Sequence, residues 1–106
     1  YRRARALCRI LLKAGYSVTL DAMFAENSRR MLFARTAERL GIRPRFLEVH
    51  ASLELIKKRL ERRKQKESVS DMKDFSVWQT VAASFEPPSE ELRRIADVDR
   101  LESKDD

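Results

Sequence analysis

Two side chains in this sequence stand where they could do chemistry on a charged substrate, Asp21 and Arg30. Asp21 follows Gly15-Tyr-Ser-Val-Thr-Leu, a short β-branched and apolar run that one acid closes before Ala22-Met23-Phe24. Such a run after a helix-ending Gly reads as a buried strand of a parallel sheet, and those strands keep their ligand chemistry at the carboxyl edge. A carboxylate there could hold the hydration shell of a magnesium ion or take a proton from a substrate hydroxyl. The plainer alternative is an Asp that caps the next turn. Arg30 falls in the first turn of the helix that follows, where a guanidinium could pair with a carboxylate, grip a phosphate or simply face solvent. A later helix is crowded with Lys57, Lys58, Arg59, Arg62, Arg63, Lys64 and Lys66, a cluster that reads as a solvated helix end or an anion-binding lid.

The elements that must position these residues follow from periodicity. Ala4, Leu7, Leu11 and Ala14, with Ile10 beside them, give an amphipathic helix over 2–14 that Gly15 stops and that would cover a sheet. The strand over 17–21 comes next. Asn27 or Ser28 then caps a helix to Leu40, with Leu32 or Phe33, Ala37 and Leu40 buried and Gly41 as its stop. Residues 45–50 form a second strand with Phe46, Leu47 and Val49 as its apolar content, giving a right-handed βαβ unit that brings His50 to the same edge as Asp21. His50 reads more simply as a hydrogen-bonded structural residue than as a catalytic base. Ser52 caps a third helix that buries Leu53, Ile56 and Leu60. Ser70 or Asp71 starts a fourth, with Phe75, Trp78, Val81, Ala82 and Phe85 packed, ending before Pro87-Pro88. Ser89 caps a short turn through Arg93, residues 95–99 form a last strand, and 102–106 fray.

Composition narrows the class further. A chain of 106 residues supports one small domain. Its 38% charged content, with two Gly and three Pro, favours solvated helices over a sandwich or barrel. Net charge is +6, and it is uneven: residues 1–66 hold 18 Lys and Arg against 6 acids, while the remainder is acidic. The basic part can bind phosphate in a nucleotide, a sugar phosphate or a nucleic acid. Cys8 and His50 are the only residues of their kinds, which removes intrachain disulfides and Cys- or multi-His metal sites. No signal peptide or membrane-length apolar run is present, so a reducing, cytoplasmic setting without a membrane partner is expected. The chain opens at Tyr1 straight into a helical pattern, as a segment cut from a longer sequence would.

Taken in order, the first helix, Gly15-Tyr-Ser-Val-Thr-Leu-Asp-Ala-Met-Phe24, the early Arg30, Gly41, the second strand, Arg59-Leu-Glu-Arg-Arg63, Ser70-Asp71 and Phe85-Glu-Pro-Pro88 resemble the C-terminal portion of AAA-type P-loop kinases similar to polynucleotide kinase and zeta toxin. The likeness runs from Tyr1 to about Asp99. It implies ATP and magnesium as cofactors and a hydroxyl-bearing substrate. In that family the Asp of the matching strand sits near the magnesium and the acceptor hydroxyl, which maps onto Asp21, with the metal held through water. The family Arg of the next helix maps onto Arg30 as a substrate contact. The lid arginines map onto Arg59 and Arg63, which would meet ATP and neutralise charge as the γ-phosphate leaves. Met23 stands where the family usually has Thr and Ser52 where it often has Pro. No Gly-x-x-x-x-Gly-Lys-Ser/Thr occurs.

The expected architecture is therefore α/β: a partial P-loop NTPase fold of kinase type with parallel strands 17–21, 45–50 and 95–99 flanked by helices. Residues 1–101 would form the C-terminal part of one domain, with a basic helical lid over about 57–71, completed by an upstream P-loop segment. The expected function is transfer of the ATP γ-phosphate to a hydroxyl of a small molecule or a nucleic-acid end, with this chain alone inactive. Two other classes fit the residues: a non-catalytic basic module that grips nucleic acid or an acidic partner, and an oligomer formed through an exposed sheet edge.

Overall fold

The computed structural model describes residues 1–65 and 75–104. Along the chain run α1 (Arg2–Lys13), α2 (Asn27–Arg39), β1 (Arg45–His50), α3 (Leu53–Gln65), α4 (Phe75–Ala83), α5 (Glu90–Ile95) and β2 (Asp97–Glu102). The two strands pair with one another in a two-stranded parallel sheet. The register is set by the Asp97 N–H donating to the Pro44 carbonyl at 2.9 Å and the Ser103 N–H donating to the His50 carbonyl at 2.6 Å. The chain divides into two compact units, one of Tyr1–Phe46 with Glu86–Asp99 and one of Leu47–Phe85 with Arg100–Asp106.

In the first unit, α1 and α2 end as their glycines dictate. Gly15 and Gly41 have φ of +90° and +73°, the left-handed conformation that a Cβ disfavours. In each case the next two N–H groups turn back onto the helix. Tyr16 and Gly15 donate to Leu11 and Leu12 at 3.0 and 3.1 Å, and Ile42 and Gly41 donate to Ala37 and Glu38 at 2.9 and 3.0 Å. This paired motif satisfies carbonyls that a helix end would otherwise leave open.

The core of this unit is small. Ala34, Leu92 and Ala96 are buried, and Met31, Phe46, Ile95 and Val98 pack against them, so α2, α5 and β2 share one apolar centre. Small residues at Ala34 and Ala96 permit the close approach, and Arg35 of α2 reinforces it by pairing with Glu91 of α5. A second group surrounds Phe24, whose ring meets those of Phe33, Tyr1 and Phe46 edge-on at 5.0, 5.2 and 6.0 Å. Arg29 lies 4.4 Å over the Tyr1 ring.

Several expectations need correction. Residues 17–21 form no strand: the segment from Tyr16 to Ala25 carries no ladder. A buried parallel strand requires neighbours on its edges, and β1 and β2, the strands among the described residues, pair with each other. The α2 cap is Glu26 rather than Asn27 or Ser28, and its side chain makes no capping bond. Ala34 carries the centre of α2, while Leu32 stays 50% exposed. α1 has no buried residue, and Leu7 and Ile10 face outward. The last strand begins at Asp97, because α5 runs through Ile95. That extension has a physical cause in Arg43. Its guanidinium donates to the Arg94, Arg93 and Ala96 carbonyls at 2.8, 3.1 and 3.2 Å and to Asp97 Oδ1 at 2.8 Å, satisfying the end of α5.

In the second unit, Ser52 caps α3 as expected, its hydroxyl accepting from the Leu55 N–H at 3.2 Å. Leu55 and Leu60 are buried, whereas Leu53 is 58% exposed. Phe75 and Trp78 of α4 stack at 5.4 Å, with Lys57 Nζ 4.8 Å from the Phe75 ring. In β1, Phe46, Glu48 and His50 turn inward while Leu47 and Val49 stay exposed, so one of its three apolar residues packs inside. The alternation of a strand allows only one of the two sets inside. Glu102 closes β2 and Ser103 is hydrogen-bonded, so the chain is held past the point where fraying was expected. The expected start of the fourth helix at Ser70 or Asp71, and the lid beyond Gln65, lie outside the described residues.

Candidate functional site

Asp21 and Arg30 belong to the first unit. Asp21 stands on the segment between Gly15 and Asn27, exposed and without a hydrogen bond or ion pair among the described residues. Its carboxylate is uncommitted within the fold.

Just beyond it the backbone is held tightly. Phe24 adopts φ +46°, an unusual conformation for a bulky side chain that persists only where its surroundings impose it. Those surroundings are visible on both sides of the residue. The Phe24 N–H donates to the Tyr1 hydroxyl at 3.1 Å, and its carbonyl accepts from Arg30 Nε at 2.6 Å. Arg30 Nη2 also donates to the Ala25 carbonyl at 3.2 Å, and Nη1 lies 3.5 Å from Asn27 Oδ1.

Arg30 is only 3% exposed. A cation in the first turn of a helix also faces the positive end of the helix dipole, so its burial requires compensating acceptors. The Phe24 and Ala25 carbonyls supply them. The residue expected to clamp substrate thus spends its fork on the segment that carries Asp21.

A second set of contacts clips the start of α2 to the chain far downstream. Glu86 Oε1 accepts from the Asn27 N–H at 2.9 Å, giving that helix the N-terminal acceptor that its own residues lack. The Glu86 N–H donates to the Ala25 carbonyl at 2.9 Å. Asn27 and Ser89 exchange bonds: Asn27 Nδ2 donates to Ser89 Oγ at 2.9 Å, and the Ser89 N–H donates to Asn27 Oδ1 at 3.2 Å. The same Ser89 hydroxyl caps α5 by accepting from the Leu92 N–H at 3.1 Å. Sequence reasoning named Ser89 as a cap but missed Glu86 and the Asn27 exchange, because local capping rules do not look across 59 residues. The signal available was the Phe85-Glu-Pro-Pro88 motif. Pro cannot continue a helix, which leaves Glu86 and Ser89 at a place where their polar groups are free to serve another element.

Arg59 and Arg63 belong to the second unit, four residues apart on α3 and so on one face of it. Arg59 is half-buried, and its Nη2 donates to Ser103 Oγ at 2.7 Å and reaches the Lys104 carbonyl at 3.4 Å. Arg63 is exposed one turn later. His50 Nε2 lies 3.2 Å from Glu48 Oε1 in the same unit.

A family model described as an AAA domain matches residues 1–88. The chain belongs to this AAA-type P-loop kinase family. The match takes in Asp21, Arg30, Arg59, Arg63 and Glu86, and it supports nucleotide binding of the kinase-like kind. Neither the curated proteins nor the solved structures yield a match. For an AAA-type domain, the groups to account for are magnesium and nucleotide phosphate. No cluster of three His, Cys, Asp or Glu occurs among the described residues, but magnesium is commonly held by one or two carboxylates with water and substrate phosphate. The uncommitted carboxylate of Asp21 fits that role. No glycine-built phosphate cradle appears among the described residues, where Gly15 and Gly41 are spent on helix ends. No helix among the described residues is long and apolar enough to cross a membrane.

Proposed function

We propose that this chain is the C-terminal part of an ATP-dependent kinase domain over residues 1–101, acting on a hydroxyl of a small molecule or a nucleic-acid end. The observation that carries this reading is the family match over residues 1–88 together with Asp21, an acid exposed and unpartnered beside a segment locked by Arg30. Magnesium-bound ATP supplies the phosphoryl group, and its phosphate cradle comes from outside these 106 residues.

Asp21 then has two compatible tasks. It holds the water shell of the metal, or it accepts the proton from the substrate hydroxyl as the new phosphorus–oxygen bond forms and the bond to ADP breaks. Its exposure and lack of a partner among the described residues support this, because both oxygens are open to metal-bound water or a substrate hydroxyl. Arg59 and Arg63 supply positive charge to bound phosphate. Arg30 acts on substrate through the segment it braces.

The test uses this chain extended upstream through a P-loop segment. Magnesium-ATP binding by calorimetry is expected in the extended form and not in the 106-residue form, and Arg59→Ala or Arg63→Ala should weaken it. Asp21→Asn should lower phosphoryl transfer by about 10²–10⁴-fold with little change in ATP affinity. Unchanged transfer in Asp21→Asn would remove Asp21 from the mechanism, and absence of ATP binding in the extended form would remove the kinase reading.

A further inference from the structure

Away from Asp21 and Arg30, the first unit holds a groove of about 430 Å³ between α1 and α2, lined by Arg2, Arg5, Arg9, Lys13 and Arg39 with Ala6, Thr36 and Leu40. Five cations and no carboxylate line it. None of these five side chains has a hydrogen bond or ion pair among the described residues. Other arginines of the same unit are engaged: Arg29 with Glu26, Arg35 with Glu38 and Glu91, Arg43 with Asp97, and Arg45 with Asp99. Arg3, Arg93 and Arg94 also lack side-chain partners, but they do not line the groove. Like charges gathered in a concavity repel one another, and an anion brought among them is held more strongly than on a flat surface.

We propose that this groove is a docking site for the backbone of a nucleic-acid duplex, bound without reading its sequence. The row Arg2, Arg5, Arg9, Lys13 follows one flank of α1 at intervals of three, four and four. At 1.5 Å per residue it runs about 16 Å along a straight rod, long enough to lie along several backbone phosphates of a duplex, and the five cations allow up to five phosphate contacts. Arg39 adds a cation from the opposite wall. No aromatic side chain lines the groove, so nothing there stacks on unpaired bases, and the contacts available are to phosphate. A ridge of phosphates can enter a concave row of cations where a flat lipid surface cannot. The inference is independent of the kinase reading, with which it shares no residue.

The test is fluorescence anisotropy of the 106-residue chain with a labelled DNA duplex of about 20 base pairs, at salt from about 50 to 200 mM. Counterion release predicts a log–log slope of about −4.5 for five phosphate contacts, so binding weakens about 500-fold across that range. The Arg9→Glu/Arg39→Glu double variant should retain a slope of about −2.7, with weakening of about 40-fold, and bind at least about tenfold more weakly at the lowest salt. Arg2→Glu serves as a second variant, because an acid in the first turn suits the helix dipole and keeps the fold. It should lower the slope by about one. Arg93→Glu/Arg94→Glu removes the same net charge outside the groove and should leave slope and affinity within about twofold. Equal losses in the two double variants would overturn the proposal, since affinity would then follow net charge rather than place. Inorganic polyphosphate competing as well as duplex per phosphate, or anionic vesicles binding through Arg9 and Arg39 while duplex does not, would overturn it equally.

Discussion

Replacing Arg30 by Ala tests whether this residue is primarily a brace for the Asp21 segment. The Phe24 carbonyl accepts a 2.6 Å bond from a charged donor, and bonds of that kind are worth about 1.5–3 kcal/mol. The Ala25 carbonyl keeps the Glu86 N–H as a second donor, so losing Arg30 Nη2 costs it less. Against these losses stands the release of a cation that is 3% exposed from its desolvation penalty. The balance is a net destabilisation of about 2–4 kcal/mol, with the left-handed Phe24 relaxing once its carbonyl is freed. Urea unfolding followed by far-ultraviolet circular dichroism reads this directly. With a slope of about 1–3 kcal/mol per molar, the midpoint should fall by about 0.7–4 M. Arg30→Lys keeps the charge but not the fork, and should recover less than half of the loss. Trp78 lies in the second unit, so its fluorescence gives a separate reading of that unit during the same titration. A midpoint within about 0.3 M of the parent for Arg30→Ala would refute the reasoning. Water would then be serving the two carbonyls, and Arg30 would be available to substrate.

Other outcomes follow from the same contacts. Asn27→Ala and Ser89→Ala should each cost about 1–2 kcal/mol, and a double-mutant cycle should show coupling of about 0.5–3 kcal/mol, because Asn27 Nδ2 donates to the Ser89 hydroxyl that Ala removes. Additive losses in that cycle would mean that this side-chain bond is not formed in solution. Arg43→Ala should lower thermal stability by about 1–2 kcal/mol, a figure held down because the side chain is half exposed. Hydrogen exchange of the amides following α5 should quicken in that variant, and unchanged protection there would show that Arg43 does not end the helix.

What the sequence disclosed, and what it hid, divides by range of interaction. Gly15, Gly41, Ser52 and Ser89 were readable because a helix stop or cap depends on the residue and its immediate neighbours. The strand over 45–50 was readable for the same reason. The strand over 17–21 was not, because Val18 and Leu20 state only a preference for extended backbone, and a ladder needs a partner that periodicity cannot supply. Burial of Ala34 rather than Leu32 is likewise a tertiary outcome: α5 approaches where the side chain is small. At the candidate site, the type of Asp21 and Arg30 was legible but their commitments were not. An Arg early in a helix gives no sign that carbonyls of the preceding loop will absorb it. The groove cations were visible only as part of the basic excess of residues 1–66, and the opposite wall at Arg39 appears once α1 and α2 pack.

The clip between Asn27, Glu86 and Ser89 bears on how the chain is born. The first unit takes Tyr1–Phe46 from early synthesis and Glu86–Asp99 from late synthesis, and the central Leu92 arrives with the second piece. A nascent chain that has reached Phe46 therefore has α1 and α2 but no residue to fill the space beside Ala34. At about 5–20 residues per second, the wait for Asp99 is roughly 3–10 s, a period in which α2 stands on the ribosome with its apolar side uncovered. Closing the intervening stretch of about 60 residues carries an entropic cost of about 3–4 kcal/mol, which falls due before Leu92 contributes its burial. The stretch Tyr1–Phe46 is thus completed only well after it is made, and a ribosome stalled anywhere between residues 46 and 86 would leave α2 exposed to holdase chaperones.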